Sequence, residues 1–353
     1  MAYTTIDDPS AYFQSILWTG TGSAGNAVTF DGNSDMQPDF VWSKRRDVGF
    51  GHVLKDTSRG GTANNDQHLA SNSNAAESTY TNYRMDFDSD GFTLDGIGDS
   101  GFQGSGTSMV SWAWKANGGT TSSNTSGTLT STIQSDTTAG FCIATYTGNG
   151  TQGATYGHNL GVAPDIMFTK NLTSNNTGWS VDGSIGDMVY GTNKLVLDTN
   201  AALTADTNNV IGASSTLITV GNGANCNQNT SSHVAYLFAE KQGFSKFGKF
   251  TANGNSNGTF VYTGFKPAFL MWKISSGTGN WSILNTDNKN YNVADAYLSA
   301  NLTNAETTAT PVVDLLSNGF KDRYGLLNGS TYIYMAFAEN PFVTSTGIPT
   351  TAR

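Results

Sequence analysis

The heptapeptide PDFVWSK at residues 38–44 occurs in three versions along the chain. It returns as PDIMFTK at residues 164–170 and as PAFLMWK at residues 267–273. Proline can open a strand but does not fit a central one, because it offers no N–H to the hydrogen-bond ladder. The apolar run behind it is typical of a strand buried on at least one face. Three such versions predict an internal repeat.

Four landmarks accompany each version of the heptapeptide in the same order. They are an aromatic residue before a turn, the start of a second strand, an Asn-Ala pair and an aromatic residue in a closing strand. In the three copies these positions are Trp18, Tyr146 and Phe250; His52, Trp179 and Trp281; Asn74, Asn200 and Asn304; and Trp114, Phe238 and Phe337. Their distances from the proline differ by only a few residues between copies, which indicates triplication.

The repeats divide the chain into six segments. We predict an all-β fold of three tandem homologous β-sandwich-like repeats, each of about 100 residues, at 11–116, 139–241 and 242–340. Many short strands between Gly and Asn turns are also typical of small barrels, and we favour sandwiches. The remaining segments are interpreted as a polar N-terminal arm (1–10), a Gly/Ser/Thr linker without a core (117–138) and a C-terminal tail (341–353).

The length of a repeat also bears on how the repeats pack. A unit of about 100 residues can bury a core of its own, unlike the short repeats of a solenoid. The matched spacings lead us to expect that the three repeats superpose and pack about a pseudo-threefold axis.

Composition excludes several classes of function. The chain has 353 residues, 13% charged and 11% aromatic, with a formal net charge of −9. This charge argues against binding to a phosphate backbone, so no nucleic-acid partner is expected. No apolar run approaches the roughly 20 residues of a membrane span, and the polar N-terminus is not a signal peptide. We interpret the basic triplet at residues 44–46 as solvated charge.

Residues with catalytic or metal-binding chemistry are scarce, and we predict no enzyme activity, cofactor or metal site. None of the four histidines recurs across the repeats, and His52 is interpreted as a packing residue because tryptophans occupy the matching positions. Asp182, Asp198 and Asp206 do not form a catalytic pattern, although glycosidase carboxylates need only meet in space. Two cysteines in the middle repeat are expected to be free thiols.

One acidic turn has the beginning of a calcium-binding loop. Asp86, Asp88 and Asp90 alternate before Gly91, as the carboxylates of such a loop do. The position at which an EF-hand needs a bidentate glutamate is Ile97, however. We favour an acidic hairpin and leave calcium open.

The repeated tryptophans have two interpretations. Five of them lie on predicted strands: Trp112, Trp114, Trp179, Trp272 and Trp281. Flat rings stack on sugars in carbohydrate sites, but repetition at matched strand positions is what a shared core produces. We favour the core, and expect any ligand site in the loops, which vary among the repeats. The binding residues are unknown at this stage.

Three stretches carry a resemblance to a known group of proteins. SDMQPDFVWSK (34–44), TTAGFCIATYTGNGT (137–151) and the ending NGF…STYIYMAFAENPF (318–342) resemble a repeat of structural proteins in marine tailed phages, including cyanophages. The likeness spans residues 2–342. It implies a virion component, often tail-fibre-like, with a lectin-like sandwich, and it supplies no catalytic residues.

These features lead to one favoured function and two alternatives. We expect a non-enzymatic phage virion surface protein, a tail-associated, adhesin-like subunit for host-surface attachment that is located in the virion after assembly in the host cytoplasm. Its partners would be other virion proteins and a host surface glycan or protein, and a homo-oligomer remains open. The chain has no coiled coil or collagen-like run to build a long fibre, which leaves room for a capsid decoration protein. A polysaccharide depolymerase is the weaker alternative.

Overall fold

The computed structural model describes residues 2–96, 101–288 and 292–350. Within them the chain forms 28 strands, two α-helices of four residues each and three 3-10 helices. The helices are α1 (Thr57–Gly60) and α2 (Ala224–Asn227), and the 3-10 helices are Pro9–Ala11, Thr81–Tyr83 and Thr286–Asn288. The predicted all-β fold is confirmed. A search of these described helices finds none that is long and apolar enough to cross a membrane.

The strands form three successive units, each with one large and one small antiparallel sheet, and the first unit also has a two-stranded sheet of Gln67–His68 and Ser78–Thr79. The first unit (13–114) contains β1 (Phe13–Thr19), β2 (Asn26–Val28), β3 (Phe40–Arg45), β4 (Val53–Asp56), β5 (Gln67–His68), β6 (Ser78–Thr79), β7 (Met85–Phe87), β8 (Phe92–Leu94) and β9 (Ser108–Trp114). The second unit (122–238) contains β10 (Ser122–Asn124), β11 (Ser131–Asp136), β12 (Phe141–Thr147), β13 (Ala154–Gly157), β14 (Ile166–Asn171), β15 (Ser180–Gly183), β16 (Asn193–Val196), β17 (Thr204–Ala205), β18 (Val210–Ala213), β19 (Leu217–Val220) and β20 (Ser232–Phe238). The third unit (245–341) contains β21 (Ser245–Thr251), β22 (Phe260–Tyr262), β23 (Phe265–Ile274), β24 (Ser282–Asn285), β25 (Leu298–Ser299), β26 (Val313–Leu316), β27 (Gly319–Asp322) and β28 (Thr331–Pro341).

The strand order is the same in the three units. In the large sheets, β1-β9-β3-β4 corresponds to β12-β20-β14-β15 and to β21-β28-β23-β24. In the small sheets, β2-β8-β7 corresponds to β13-β19-β18 and to β22-β27-β26. The heptapeptide lies beside the closing strand each time, with the same register. The paired residues are Phe40 and Trp114, Ile166 and Phe238, and Phe269 and Phe337.

Each unit has an apolar core between its two sheets. Successive side chains of a strand point to opposite faces. Val41 in β3 and Ala113 in β9 therefore belong to the core of the first unit, while their neighbours Phe40 and Trp114 point away from it. The second and third units have equivalent cores. This packing of a large on a small sheet agrees with the sandwich-like prediction.

The opposite faces of the three large sheets meet in one shared core of 35 described residues. Aromatic rings join every pair of units there. The joining pairs, with the distances between their ring centroids, are Phe40–Tyr236 (4.2 Å), Trp114–Phe269 (5.7 Å) and Phe238–Phe337 (5.9 Å). The three units therefore share a core in addition to their own cores, because the outer face of each large sheet is buried by the other two large sheets.

A cycle of backbone hydrogen bonds also joins the units. The loop with the Asn-Ala pair of one unit donates to the carbonyl that lies two residues beyond the heptapeptide lysine of another. The three bonds are Glu77 N to Leu172 O (2.9 Å), Leu203 N to Ser275 O (2.9 Å) and Glu306 N to Arg46 O (2.8 Å). The first unit thus bonds to the second, the second to the third and the third to the first. This cycle is the contact pattern expected of packing about a pseudo-threefold axis.

The lysine that ends each heptapeptide is buried. Desolvation lowers the pKa of Lys44, Lys170 and Lys273 to about 8. Lys44 Nζ donates to Thr303 O of the third unit (3.3 Å), and Lys170 Nζ donates to Asn74 O of the first unit (3.2 Å). The interpretation of the basic triplet as solvated charge is therefore wrong for Lys44, whose ammonium group holds a loop of another unit.

The segments outside the repeats are better packed than their composition indicates. Residues 117–138, interpreted as a linker without a core, contain β10 and β11, which extend the large sheet of the second unit. Leu129 and Ile133 are buried there. In the N-terminal arm Ile6 belongs to the shared core, and in the tail Phe342 N donates to Gly264 O (3.1 Å). A stretch rich in Ser and Thr can thus form strands at the end of a sheet as well as a flexible linker.

Candidate ligand-binding cleft

The third unit contains a cleft of about 290 Å³ between its two sheets. Strands β23, β24, β25 and β28 and the loops around residues 276–280 and 323–327 build it. Its lining residues are Trp272, Ile274, Thr278, Gly279, Asn280, Ser282, Tyr297, Ser299, Val312, Tyr324, Leu326, Leu327 and Tyr332. The lining thus combines aromatic, aliphatic and neutral polar side chains, without a charged one. This composition is typical of a small-molecule site.

Trp272 makes the cleft specific to the third unit. It is the sixth residue of its heptapeptide, and its side chain is 6% exposed. The matching residues of the other units are Ser43 and Thr169, which are fully buried. The indole that replaces a small hydroxyl side chain provides a flat apolar wall of the cleft.

Tyrosines form the remaining aromatic walls. The ring of Tyr332 stacks on that of Phe250 with centroids 5.4 Å apart, which fixes its orientation. Tyr324 lies at the rim with 53% of its surface exposed, beside the exposed Leu327. Tyr297 is half-buried and also lines the cleft. The cleft therefore has a preformed inner wall and a ring at its mouth that a ligand can cover.

Hydrogen bonds fix the loop at the inner end of the cleft. Gly279 N donates to Asn200 O of the second unit (2.9 Å). Asn280 Oδ1 accepts from Asn301 Nδ2 (2.9 Å), and Asn301 Oδ1 accepts from Trp281 N (3.0 Å). The amide of Asn280 is thus held in one orientation. The cyclic packing of the units therefore positions the cleft as well as the core.

A second groove, of about 260 Å³, lies between the first and third units and is acidic. Asp31, Asp287 and Glu339 line it. Desolvation in the groove and the charges of Asp31 and Glu339 raise the pKa of Asp287, but the residue is exposed, so contact with solvent limits this shift. Lys266 Nζ lies 2.6 Å from Glu339 Oε2. The groove thus brings three carboxyl groups to one surface, and glycoside hydrolases use carboxyl groups in pairs.

His52 is buried at the boundary between the first and third units. Trp42 Nε1 donates to His52 Nδ1 (2.8 Å), and His52 Nε2 lies 3.0 Å from Ser299 O. Desolvation lowers the pKa of His52 to about 3, so the ring is neutral at physiological pH. These contacts agree with its interpretation as a packing residue.

Of the five tryptophans predicted on strands, four belong to the shared core: Trp112, Trp114, Trp179 and Trp281. Among them, Trp179 and Trp281 immediately precede strands. The indole N–H of Trp179 donates to Ala70 O (2.9 Å) and that of Trp281 to Val196 O (3.0 Å), each in another unit. The core interpretation is confirmed for these four residues. Trp272 lies in the third unit's own core and also lines the cleft, so it serves both purposes.

The acidic turn forms the hairpin between β7 and β8. Asp86 Oδ1 accepts from Asn64 N, Asp88 Oδ2 accepts from Thr93 Oγ1 (2.7 Å) and Asp90 Oδ1 accepts from Met36 N (3.2 Å). The carboxylates thus serve separate parts of the first unit, as in the hairpin interpretation. Across the described ranges there is no group of three or more His, Cys, Asp or Glu residues that could hold a metal ion. Ile97 lies outside the described residues.

Cys142 and Cys226 are free and buried, as predicted. Both belong to the second unit's own core. Burial raises the pKa of Cys142 to about 12, so this thiol stays protonated and unreactive.

Asp182 is a buried carboxyl group in the second unit. Ser180 Oγ donates to its Oδ2 atom (2.7 Å). In the strand register Asp182 pairs with Met167, so it corresponds to Lys55 of the first unit, which pairs with Val41, and to Leu284 of the third, which pairs with Leu270. Desolvation raises the pKa of Asp182 to about 7 despite the nearby Lys194.

The substitution Asp182→Asn should raise stability at pH 7 and reduce its pH dependence. A folded pKa of about 7 exceeds an unfolded value near 4, so the native state gains a proton as the pH falls and becomes more stable. Linkage predicts that the advantage of the variant shrinks by about 2 kcal/mol between pH 7 and pH 5. Urea unfolding of both proteins at the two pH values measures this difference. A constant difference would show that the carboxyl does not titrate in this window.

The fold and the cleft define a class of protein: a β protein of three cyclically joined units with an uncharged cleft in one of them. A family described as a domain of unknown function (DUF7483) matches residues 8–341. The chain belongs to this family, and the match spans all three units. No curated protein and no solved structure matches the chain.

Proposed function

We propose that this chain is a non-enzymatic phage virion surface protein, a tail-associated and adhesin-like subunit for attachment to the host surface. The resemblance to structural repeats of marine tailed phages supports the virion origin. The cleft of the third unit carries the adhesin role, because it places exposed aromatic and neutral polar groups on an otherwise closely packed scaffold. A receptor-binding protein outside the cell needs this combination of a rigid body and a variable loop site.

A capsid decoration protein is the second candidate, and an exposed aromatic strip favours it. Phe260 and Tyr262 alternate along β22 and are 46% and 53% exposed, so both point away from the core. Tyr3 extends the strip, since its hydroxyl lies 3.2 Å from that of Tyr262. Exposed aromatic groups are typical of protein interfaces. In this alternative the strip would bind a capsid protein; in the favoured function it would bind a tail protein.

The acidic groove is the feature that favours the weaker alternative, a polysaccharide depolymerase. Asp287 would act as the general acid, given its raised pKa, with a neighbouring carboxylate as base or nucleophile. This alternative requires the groove to admit a sugar chain, and it makes Asp287 the residue on which activity depends.

The copy number of the chain per purified virion, measured by quantitative mass spectrometry, tests the proposal. We expect a few to a few tens of copies, together with reduced phage adsorption when host cells are first incubated with the purified chain. Hundreds of copies and unchanged adsorption would favour decoration instead. Absence from the virion would overturn both. Release of reducing ends from host polysaccharide, lost in Asp287→Asn, would establish the depolymerase.

A further inference from the structure

We propose that the cleft of the third unit binds a short, neutral pyranose segment of a glycan. This inference rests on the proposed attachment function and names the ligand class of its site. It combines three observations: the absence of charge in the lining, the aromatic walls and the unpaired polar groups between them.

The charge of the lining argues for a neutral ligand. None of the cleft residues is Asp, Glu, Lys, Arg or His. A carboxylate, sulfate or ammonium group would lose hydration on entering the cleft without an ion pair to replace it, which disfavours binding. The acidic groove is a separate feature, lined by a different set of residues. The cleft therefore selects against sialylated and uronic-acid sugars.

The aromatic walls fit one face of a sugar ring. Trp272, Tyr297 and Tyr324 line the cleft, and no other aromatic ring stacks on them within the part of the chain that the structure describes. A pyranose presents a face of C–H groups, which are apolar enough to cover such a ring. Tyr324, at the rim, is the most exposed of these three residues, so a ligand can cover more of its surface than of the others.

The polar groups of the cleft fit sugar hydroxyls. The structure gives the Asn280 Nδ2 amide, the Ser282 hydroxyl, the Ser299 hydroxyl and the Trp272 indole N–H no hydrogen-bond partner within the described residues. Amides and hydroxyls between apolar walls pair with groups that both donate and accept, as sugar hydroxyls do. A lipid chain would leave these groups unpaired, at a cost in free energy.

The size of the cleft limits the ligand to a short segment. Its 290 Å³ lies at the lower end of the roughly 300–1,000 Å³ of ligand pockets. A longer glycan can continue past the rim at Tyr324 and Leu327, but only a few of its rings contact protein. Affinity per cleft is therefore expected to be weak, and attachment would depend on several copies acting together.

The purified full chain tests this inference on an array of neutral, sialylated and uronic-acid oligosaccharides, followed by titration calorimetry with the best neutral ligand. We expect binding to neutral glycans. The substitution Tyr324→Ala should raise the dissociation constant about tenfold or more, as for aromatic residues at binding hot spots. Tyr80→Ala is the matched control: it removes a tyrosine of similar exposure, 48%, that lies in the first unit, outside the cleft and outside the aromatic strip. It should leave glycan affinity unchanged.

Three results would overturn the inference. They are binding only to charged glycans, binding only to protein components of the host surface, and equal affinity of Tyr324→Ala and the native chain. Measuring how much of the purified chain adsorbs to intact host cells distinguishes a wrong ligand class from a wrong proposed function. If the chain adsorbs but the cleft variant adsorbs equally well, attachment stands and the ligand class is wrong. If it does not adsorb, the proposed function itself fails.

Discussion

Replacement of Trp114 by alanine should lower the free energy of unfolding by about 3–5 kcal/mol, the usual cost of removing a large buried aromatic side chain. Trp114 is 2% exposed, on the closing strand of the first unit. Its ring is in contact with rings from all three units. The contacting residues and centroid distances are Phe13 (5.1 Å), Phe40 (5.3 Å), Phe337 (5.6 Å), Phe269 (5.7 Å) and Phe238 (6.1 Å). The cavity created would therefore be bordered by every unit.

The shared core also predicts how the variant unfolds. If each large sheet is stable only against the other two, the native chain should lose all its sheets in one cooperative transition, and Trp114→Ala should move that whole transition to lower denaturant. Far-UV and near-UV circular dichroism in urea would follow both kinds of structure. The exposed Tyr262→Ala serves as the control and should cost little. Separate transitions, with only one destabilised by the variant, would contradict a common core.

The second large effect is expected for Arg59→Met. Arg59 is buried between the carboxylates of Asp56 and Glu77; its Nη1 lies 2.6 Å from Glu77 Oε1. Tyr236 of the second unit donates its hydroxyl to Asp56 Oδ2 (2.6 Å). The substitution leaves the buried Asp56 carboxylate without its cation, and breaking such a pair costs about 3–5 kcal/mol. Urea unfolding of the native and variant chains measures this loss.

A second substitution distinguishes the lost charge from lost packing. The position equivalent to Asp56 in the third unit is Asn285, so the fold accepts a neutral amide there. Combining Asp56→Asn with Arg59→Met removes both charges, and we expect it to recover a substantial part of the stability lost in the single variant. If the double variant is as unstable as Arg59→Met alone, the arginine acts through its packing and not through its charge.

The recurrence of the same strands in each unit was predictable because it depends on local signals. The opening proline, the apolar run and the closing aromatic strand recur at matched distances, and these positions became neighbouring strands with one register. The packing of the units was not predictable in the same way. In the strand 40–45 the first three residues, Phe-Val-Trp, are apolar at successive positions. This run indicates burial of both faces of the strand but does not say what covers the second face. The buried Lys44 was misjudged for the same reason, since its partner Thr303 is distant in sequence.

The cleft left one trace in the sequence. Trp272 replaces the small hydroxyl residues Ser43 and Thr169 at a matched position, and a departure from the repeat is a better indicator of function than the repeat itself. A tryptophan on a predicted strand does not by itself mark the cleft, because the other four such residues belong to the shared core. Tyr324 and Asn280 gave no signal, because they lie in loops whose closure depends on contacts with the other sheet and the second unit.

The cycle of contacts among the three units limits how this protein can change in evolution. A solenoid is open-ended, so a duplicated repeat extends it without disturbing existing interfaces. Here the third unit bonds back to the first through Glu306 and Arg46, and a fourth unit would have to break that bond and enlarge the common core. Copy number is therefore fixed by closure, and diversification should proceed by divergence of single units, as in the cleft of the third.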